Sequence, residues 1–320
     1  MLDILTITSP IYIIIAIGFF MTRIGVFARA DMRVFGRFVI NLALPALLFR
    51  SLFQRQIGEI LNVSYLLAYL GGSLLVIGLG SLWFRRFCGL NPTTSTVCVM
   101  GMACSNSGYV GYPILLLTLA PIAGVSLALN MIVENLIVLP LLFFMAEGNH
   151  GSSGRWQVLR KSLGRLVANP LIIAMFAGLV VSFLGWKLPE PIVRTVDMLA
   201  TVCSALALFV VGGTLVGLPL RGMVSQVAPI VIGKLVFHPL AVLLSIAALA
   251  LLGLGEIDPS LRMAAVLMAA MPMMGIYPTL AQAYGEEDIS AVALLAATVA
   301  SFFTISGWLW MFRHIPVLGQ

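Results

Sequence analysis

The chain has little charge. Only 9% of its 320 residues are Asp, Glu, Lys or Arg, where a soluble domain carries about 25%. An ordinary water-exposed surface is thereby excluded. Histidine is scarce, with three residues, and the four cysteines (Cys88, Cys98, Cys104 and Cys203) do not stand at metal-ligand spacing. No metal site or disulfide framework is expected, and the cysteines read as small buried apolar residues. The sequence also lacks a phosphate-binding glycine loop, a nucleophile–base pair and an extramembrane domain large enough to signal, which leaves an enzyme or a receptor as the weak reading. No cofactor is expected. The net charge of +6 does not point to nucleic acid, because the basic residues sit in short stretches between apolar runs without interleaved aromatics. A cleavable leader is not expected either, since Asp3 stands where a basic segment is required.

What the chain has in quantity is apolar sequence. Hydrophobic residues make up 61% and mean hydropathy is +1.08. Runs long enough to cross a bilayer recur from end to end. The reading is an all-α polytopic membrane protein with ten spans, at about 9–24, 35–53, 62–84, 92–119, 123–146, 168–185, 193–217, 225–253, 259–284 and 288–312. Residues 147–167 are the one long polar stretch. They divide a first five-helix repeat, 1–146, from a second, 168–320.

The halves share landmarks in the same order. Ser9-Pro10 corresponds to Asn169-Pro170, Asn91-Pro92 to Asp258-Pro259, Tyr112-Pro113 to Tyr277-Pro278, and Ser126 to Ser290. Five spans per half is an odd number, so the second half is inverted relative to the first. Loop charge sets the orientation. Eleven Lys and Arg fall on the side of the loops after spans 1, 3, 5, 7 and 9, against six on the other. The richer side is expected to be cytoplasmic. That puts the central linker in the cytoplasm and both termini outside, in a bacterial inner membrane. Glu286, Glu287 and Asp288 dissent, but acidic residues weigh little in this rule.

Two stretches interrupt the apolar pattern. Cys104–Pro113 reads C-S-N-S-G-Y-V-G-Y-P, and Met271–Pro278 reads M-P-M-M-G-I-Y-P. Glycine holds a helix weakly and proline removes a donor. A helix broken at membrane depth is tolerated only where protein or a water-filled cavity receives its backbone groups. Two such breaks, in corresponding places of two halves, mark the binding site of a secondary transporter. Half-helices restarting near Gly111–Pro113 and near Pro278 would aim N–H groups and positive dipole ends at a bound anion. Asn106 offers both a donor and an acceptor to a substrate carboxylate or coupling ion, or else caps the broken helix. Ser105 and Ser107 could assist. Tyr112 and Tyr277 could line the cavity, and Gln282 is the polar candidate beyond the second break.

Ionisable residues inside the spans are few and by default functional. Glu134 could carry a coupling proton or form a fixed pair with Lys234. Asn130, four residues earlier, shares its face. Lys234 could serve as substrate counter-charge, as a proton-linked partner of Glu134, or as a neutraliser of carbonyl ends. His238 shares the Lys234 face and reads either as a structural hydrogen bond or as a proton relay. Thr298, Ser301 and Thr304 are weaker candidates, because hydroxyls in membrane helices commonly bond within the helix or to a neighbour. Met268, Met271, Met273 and Met274 read as adaptable apolar filling.

Three motifs carry a family likeness. N-S-G-Y-V-G-Y-P at Asn106–Pro113, N-L-A-L-P-A-L-L-F at Asn41–Phe49 and G-K-L-V-F-H-P-L at Gly233–Leu240 together resemble the auxin efflux carrier family. The closest likeness is to its bacterial branch, described as malonate or malate permeases. The resemblance implies two inverted five-helix repeats, with helices 4 and 9 broken and crossing at mid-membrane. It also implies transport of small carboxylates and a scaffold of helices 1, 2, 6 and 7 able to form a homodimer. The family's Asn and Gly-x-Pro-like turn fall on Asn106, Gly111 and Pro113. The ninth span has no matching Asn, so the two breaks are chemically unequal.

The expected function is secondary active transport of a mono- or dicarboxylate such as malonate or malate, by alternating access around the crossed helices. One carboxylate near the break, with no acidic pair, favours H+ over Na+ as the coupling ion. A sodium-coupled carrier, or an uncoupled anion channel or facilitator, is the alternative.

Overall fold

The computed structural model describes residues 2–55, 61–147, 164, 168–217, 224–254 and 257–314. The expected linker, 147–167, therefore lies almost wholly outside the described residues. So do Arg221 and the tail beyond His314.

Among the described residues the α-helices are α1 Leu2–Arg23, α2 Arg29–Phe38, α3 Leu44–Phe53, α4 Val63–Arg86, α5 Pro92–Ala103, α6 Tyr112–Thr118, α7 Ala123–Val133 and α8 Leu139–Glu147. They continue with α9 Pro170–Leu184, α10 Glu190–Thr214, α11 Val224–Ile232, α12 His238–Leu251, α13 Pro259–Ala270, α14 Tyr277–Gln282 and α15 Glu287–His314. Among the described residues six helical stretches are long and apolar enough to cross a membrane: Arg29–Phe53, Val63–Arg86, Ala120–Ala146, Glu190–Thr214, Gln226–Leu251 and Glu287–His314. Large apolar side chains such as Leu251, Phe183 and Phe303 are exposed, as suits a surface that meets lipid rather than water.

The helix starts follow from the Asn-Pro and Asp-Pro pairs. Asn91 caps α5 by accepting from Thr94 N at 2.9 Å, Asn169 caps α9 through Leu171 N at 2.9 Å, and Asp258 caps α13 through Ser260 N at 2.9 Å. In each case proline occupies the first turn, where its missing N–H costs nothing. Ser9-Pro10 behaves differently from its expected counterpart, because Pro10 lies inside α1. Glu286, which dissented from the loop-charge pattern, accepts a hydrogen bond from Thr94 Oγ1 in the first turn of α5. A carboxylate there suits the positive end of that helix.

Among the described residues four five-residue π-helical turns interrupt the α-helices, at Val39–Ala43, Ser107–Gly111, Glu134–Val138 and Gly233–Phe237. A proline stands two residues after each one: Pro45, Pro113, Pro140 and Pro239. Proline has no N–H, and its ring collides with the carbonyl four residues back. Widening the preceding turn relieves that collision. Proline alone is not sufficient, since Pro10 and Pro229 sit in α-helix. Three of the four turns contain a residue expected at the site: Ser107, Glu134 and Lys234.

The chain forms two compact units. The first comprises Met1–Asn62, Gly108–Leu129 and Arg165–Gly217, and the second Val63–Ser107, Asn130–Gly164 and Leu218–Gln320. Each unit thus draws on both halves of the sequence. In the first unit α1 packs along α10 and α3 along α9. Gly18 meets the Phe209 carbonyl and Gly212 the Ile15 carbonyl so closely that neither position has room for a Cβ. This is small-residue packing between membrane helices. In the second unit α4 lies along α12, with Gly72 against the backbone of Val242.

Candidate functional site

The second unit contains both interrupted stretches. α5 ends at Ala103 and Cys104 turns extended, with φ −101 and ψ 126. α13 ends at Ala270 and Met271 turns extended, with φ −65 and ψ 153. The two extended backbones meet. Ser105 and Met273 form an antiparallel bridge, and Asn106 N donates to Pro272 O at 2.8 Å. Backbone groups released by each break are thereby satisfied by the other, as an apolar interior requires.

Glu134 lies against this bridge, 3% exposed. Its Oε1 accepts from Ser105 N at 2.9 Å and from Tyr69 OH at 2.9 Å. Its Oε2 accepts from Ser107 Oγ at 3.4 Å, and Asn130 Nδ2 donates to that same Ser107 hydroxyl at 2.6 Å. Asn130 Oδ1 is buried without a partner among the described residues.

Lys234 is fully buried on the other side of Ser105. Its Nζ donates to Ser105 Oγ at 2.6 Å and to Ala269 O at 3.0 Å. It also bonds His238 Nδ1 at 2.8 Å. An ammonium has three N–H groups and accepts nothing, so its donors are all in use. Nδ1 of His238 must then be the acceptor, which leaves Nε2–H to donate to Ser73 Oγ at 3.1 Å. The His238 ring also stands edge-on to Tyr69, with centroids 5.5 Å apart.

Several sequence expectations change at this point. Among the described residues Glu134 and Lys234 make no ion pair within 4.0 Å. Ser105 stands between them, with its N–H on the carboxylate and its Oγ on the ammonium. Lys234 has no free donor for a substrate, and Ser105 Oγ is already shared by Lys234 and Tyr69. Helix resumes at Ser107, not near Gly111–Pro113, because the π-turn precedes Pro113. Gly111, Tyr112 and Pro113 are accordingly buried inside continuous helix, in the first unit. Pro278 is half-buried in the first turn of α14, and Gln282 is exposed at that helix's far end. The hydroxyls of Thr298, Ser301 and Thr304 bond to carbonyls of their own helix.

Tyr277 is also no cavity-lining residue. It is fully buried, its ring lies against Gly101, and its hydroxyl donates to Val97 O at 3.0 Å. It ties the start of α14 to α5. Tyr277→Phe is expected to cost about 1 kcal/mol, seen as a small fall in the unfolding midpoint in detergent, with transport intact. Lost transport at unchanged stability would put Tyr277 at the substrate instead.

Asn106 is the expected residue that stays available. It is 5% exposed, and among the described residues its side-chain amide makes no hydrogen bond. A Cβ built on Gly275 would meet only Asn106 Nδ2 within 4 Å, at 3.9 Å. Gly275 and Ile276 are exposed, so the amide faces the open side of the second break.

Sequence reading missed Tyr69 and Ser73. Tyr65, Tyr69 and Ser73 recur every fourth residue of α4, which places them on one face. That hydroxyl stripe was the available signal. Among the described residues no group of His, Cys, Asp and Glu could hold a metal ion.

Interrupted apolar helices whose released backbone groups and buried charges satisfy one another suit a protein embedded in a membrane. A family model described as Membrane transport protein matches residues 3–309, and the chain belongs to that family, the auxin efflux carriers. It is a multi-pass membrane transporter, not an enzyme. It is 29% identical over 320 residues, 98% of this chain and 97% of the relative, to a protein of Rhizobium meliloti (strain 1021) provisionally named a malonate transporter. It is 26% identical over 243 residues, 73% of this chain and 76% of the relative, to the uncharacterized transporter YfdV of Escherichia coli (strain K12). An uncharacterized transporter of Methanothermobacter thermautotrophicus is 28% identical over 106 residues, 32% of this chain and 34% of that relative.

Proposed function

We propose that the protein is a proton-coupled secondary transporter of small mono- or dicarboxylates, with malonate the first candidate. In this reading ten helices cross a bacterial inner membrane as two inverted five-helix repeats. Helices 4 and 9 cross at mid-depth, the central linker is cytoplasmic and both termini are outside. The substrate carboxylate binds beside Asn106 and Gly275, and the site opens to each side in turn. The observation that carries the reading is the free amide of Asn106 at the Ser105–Met273 bridge, with a buried ammonium and a buried carboxylate hydrogen-bonded to the same break. The name of the Rhizobium relative supports malonate. The composition of the two units, each drawn from both halves, supports the repeat.

Glu134 is the group that takes the coupling proton. Its second oxygen has only the long 3.4 Å contact from Ser107, which leaves room to hold a hydrogen. Sodium coupling and uncoupled conduction are the competing outcomes. The purified protein is screened by thermal shift against organic acids at several pH values, with and without sodium. Stabilisation by malonate or a similar carboxylate is expected without sodium, and greater at lower pH. Stabilisation that appears only with sodium, or none with any carboxylate, would reject the reading.

A further inference from the structure

Lys234 and Glu134 are joined by an unbroken line of hydrogen bonds whose direction is fixed at every step. Lys234 Nζ can only donate, so its 2.6 Å contact makes Ser105 Oγ an acceptor. Tyr69 has one hydroxyl hydrogen, and it goes to Glu134 Oε1 at 2.9 Å. The hydrogen in the 3.0 Å contact between Ser105 Oγ and Tyr69 OH must therefore come from Ser105. The line runs one way, from ammonium through two hydroxyls to carboxylate, and all four groups are buried.

We infer that Lys234 and Glu134 share a proton through the Ser105 and Tyr69 hydroxyls, so that the pair passes internally between a charged and a neutral form. Three hydrogens each move by one place. An Nζ–H bond breaks as an O–H bond forms on Ser105. The original Ser105 O–H breaks as one forms on Tyr69. The original Tyr69 O–H breaks as Glu134 Oε1 gains its hydrogen. The net change is one proton moved from Nζ to Oε1, with charges of plus one and minus one both becoming zero and nothing leaving the group. The neutral form is as well bonded as the charged one. The amine keeps two N–H groups for His238 Nδ1 and Ala269 O, and its lone pair accepts from Ser105. Such a pair of fully satisfied arrangements is a two-state element that a ligand can bias.

The titratable side chains that face Glu134 are Tyr65 and Tyr69 from α4, Cys104 beside the break, and Lys234. Those that face Lys234 are Glu134, Cys104 and His238. No second acid stands among them. An anion arriving beside Asn106 attracts the ammonium and repels the Glu134 carboxylate in an interior of low dielectric. Glu134 is then ionised near a second negative charge, and it becomes the group that collects the coupled proton. This consequence rests on the proton-coupled carboxylate reading, whereas the relay itself does not.

The first arm of the test uses no substrate. Infrared difference spectra of the purified full chain, with and without ring-deuterated tyrosine, are recorded across a temperature series at fixed pH, because the internal transfer exchanges no proton with solution. Protonated Glu134 contributes a C=O band that Glu134→Gln removes, and Tyr69→Phe identifies the Tyr69 C–O band. In the relay Tyr69 donates to a carboxylate but accepts from a carboxyl, so the two bands are expected to change together. If Tyr69→Phe does not fold, loss of the tyrosine change in Glu134→Gln makes the assignment. A Glu134 band that changes with temperature while the tyrosine band stays still overturns the relay. The second arm uses proteoliposomes and radiolabelled malonate. Uptake driven by a pH gradient is expected to fall about tenfold further than counterflow in Tyr69→Phe and in Ser105→Ala, and to recover in Ser105→Thr. Equal losses in both modes would mark a structural role and overturn the relay. A wild type that moves no carboxylate under a pH gradient overturns the proposed function alone, and the infrared arm still decides the relay.

Discussion

Lys234→Ala is expected to destabilise the protein by about 3–5 kcal/mol, the usual cost of breaking a buried charge pair from one side. The ammonium holds three acceptors, Ser105 Oγ, His238 Nδ1 and Ala269 O. Removing it strands all three in a dry interior and leaves Glu134 without its counter-charge. Glu134→Gln performs the converse cut, since the amide cannot accept as a carboxylate from Tyr69, Ser105 N and Ser107. The double variant Lys234→Ala, Glu134→Gln has no buried charge left. Its destabilisation should fall short of the summed singles by about 1–3 kcal/mol, as coupled neighbours do. Unfolding midpoints in detergent for the four proteins check this. Strict additivity would mean that Ser105 does not link the two groups energetically, and the relay and the coupling role of Glu134 would both weaken.

Asn106→Ala should have the opposite profile. The amide makes no hydrogen bond among the described residues, so its loss should change stability by less than about 0.5 kcal/mol. Removal of a hydrogen-bonding partner of a charged carboxylate should weaken substrate binding by about 10–100-fold. Asn106→Asp should be worse, because it opposes the substrate with like charge. Gly275→Val offers an independent probe: the position has room for a Cβ, yet a larger side chain crowds the amide. Carboxylate affinity by calorimetry and uptake by proteoliposomes are the readouts. A stable Asn106→Ala protein with unchanged affinity would move the substrate away from the break.

The fold was legible where local chemistry decides it. Apolar runs located the helices, and the Asn-Pro and Asp-Pro pairs marked starts that the caps at Asn91, Asn169 and Asp258 explain. The two polar breaks were legible because glycine, proline and asparagine cannot all be accommodated in an unbroken apolar helix. Less visible was how proline would be accommodated. Pro113 reads as a break, but the wider turn at Ser107–Gly111 absorbs it, and the true interruption falls earlier, at Cys104–Asn106. Of the three partners of Lys234, spacing along one helix showed only His238, while Ser105 and Ala269 were hidden because they come from other segments. Tyr69 was absent from the sequence reading, although its hydroxyl bonds Ser105 and Glu134. Tyr277 was over-read for the converse reason: proximity to a break suggested a cavity, whereas its hydroxyl is spent on Val97 O.

The central claim is that a carboxylate and a proton move together through a site at the helix break, with Glu134 carrying the proton. The most direct measurement follows both fluxes at once in proteoliposomes, with radiolabelled malonate for the anion and a trapped pH indicator for the proton. The account predicts sodium-independent accumulation of malonate down an imposed proton gradient, with proton movement in step, and loss of both in Glu134→Gln. Malonate movement that requires sodium, or that equilibrates without accumulation and is unchanged in Glu134→Gln, would contradict it.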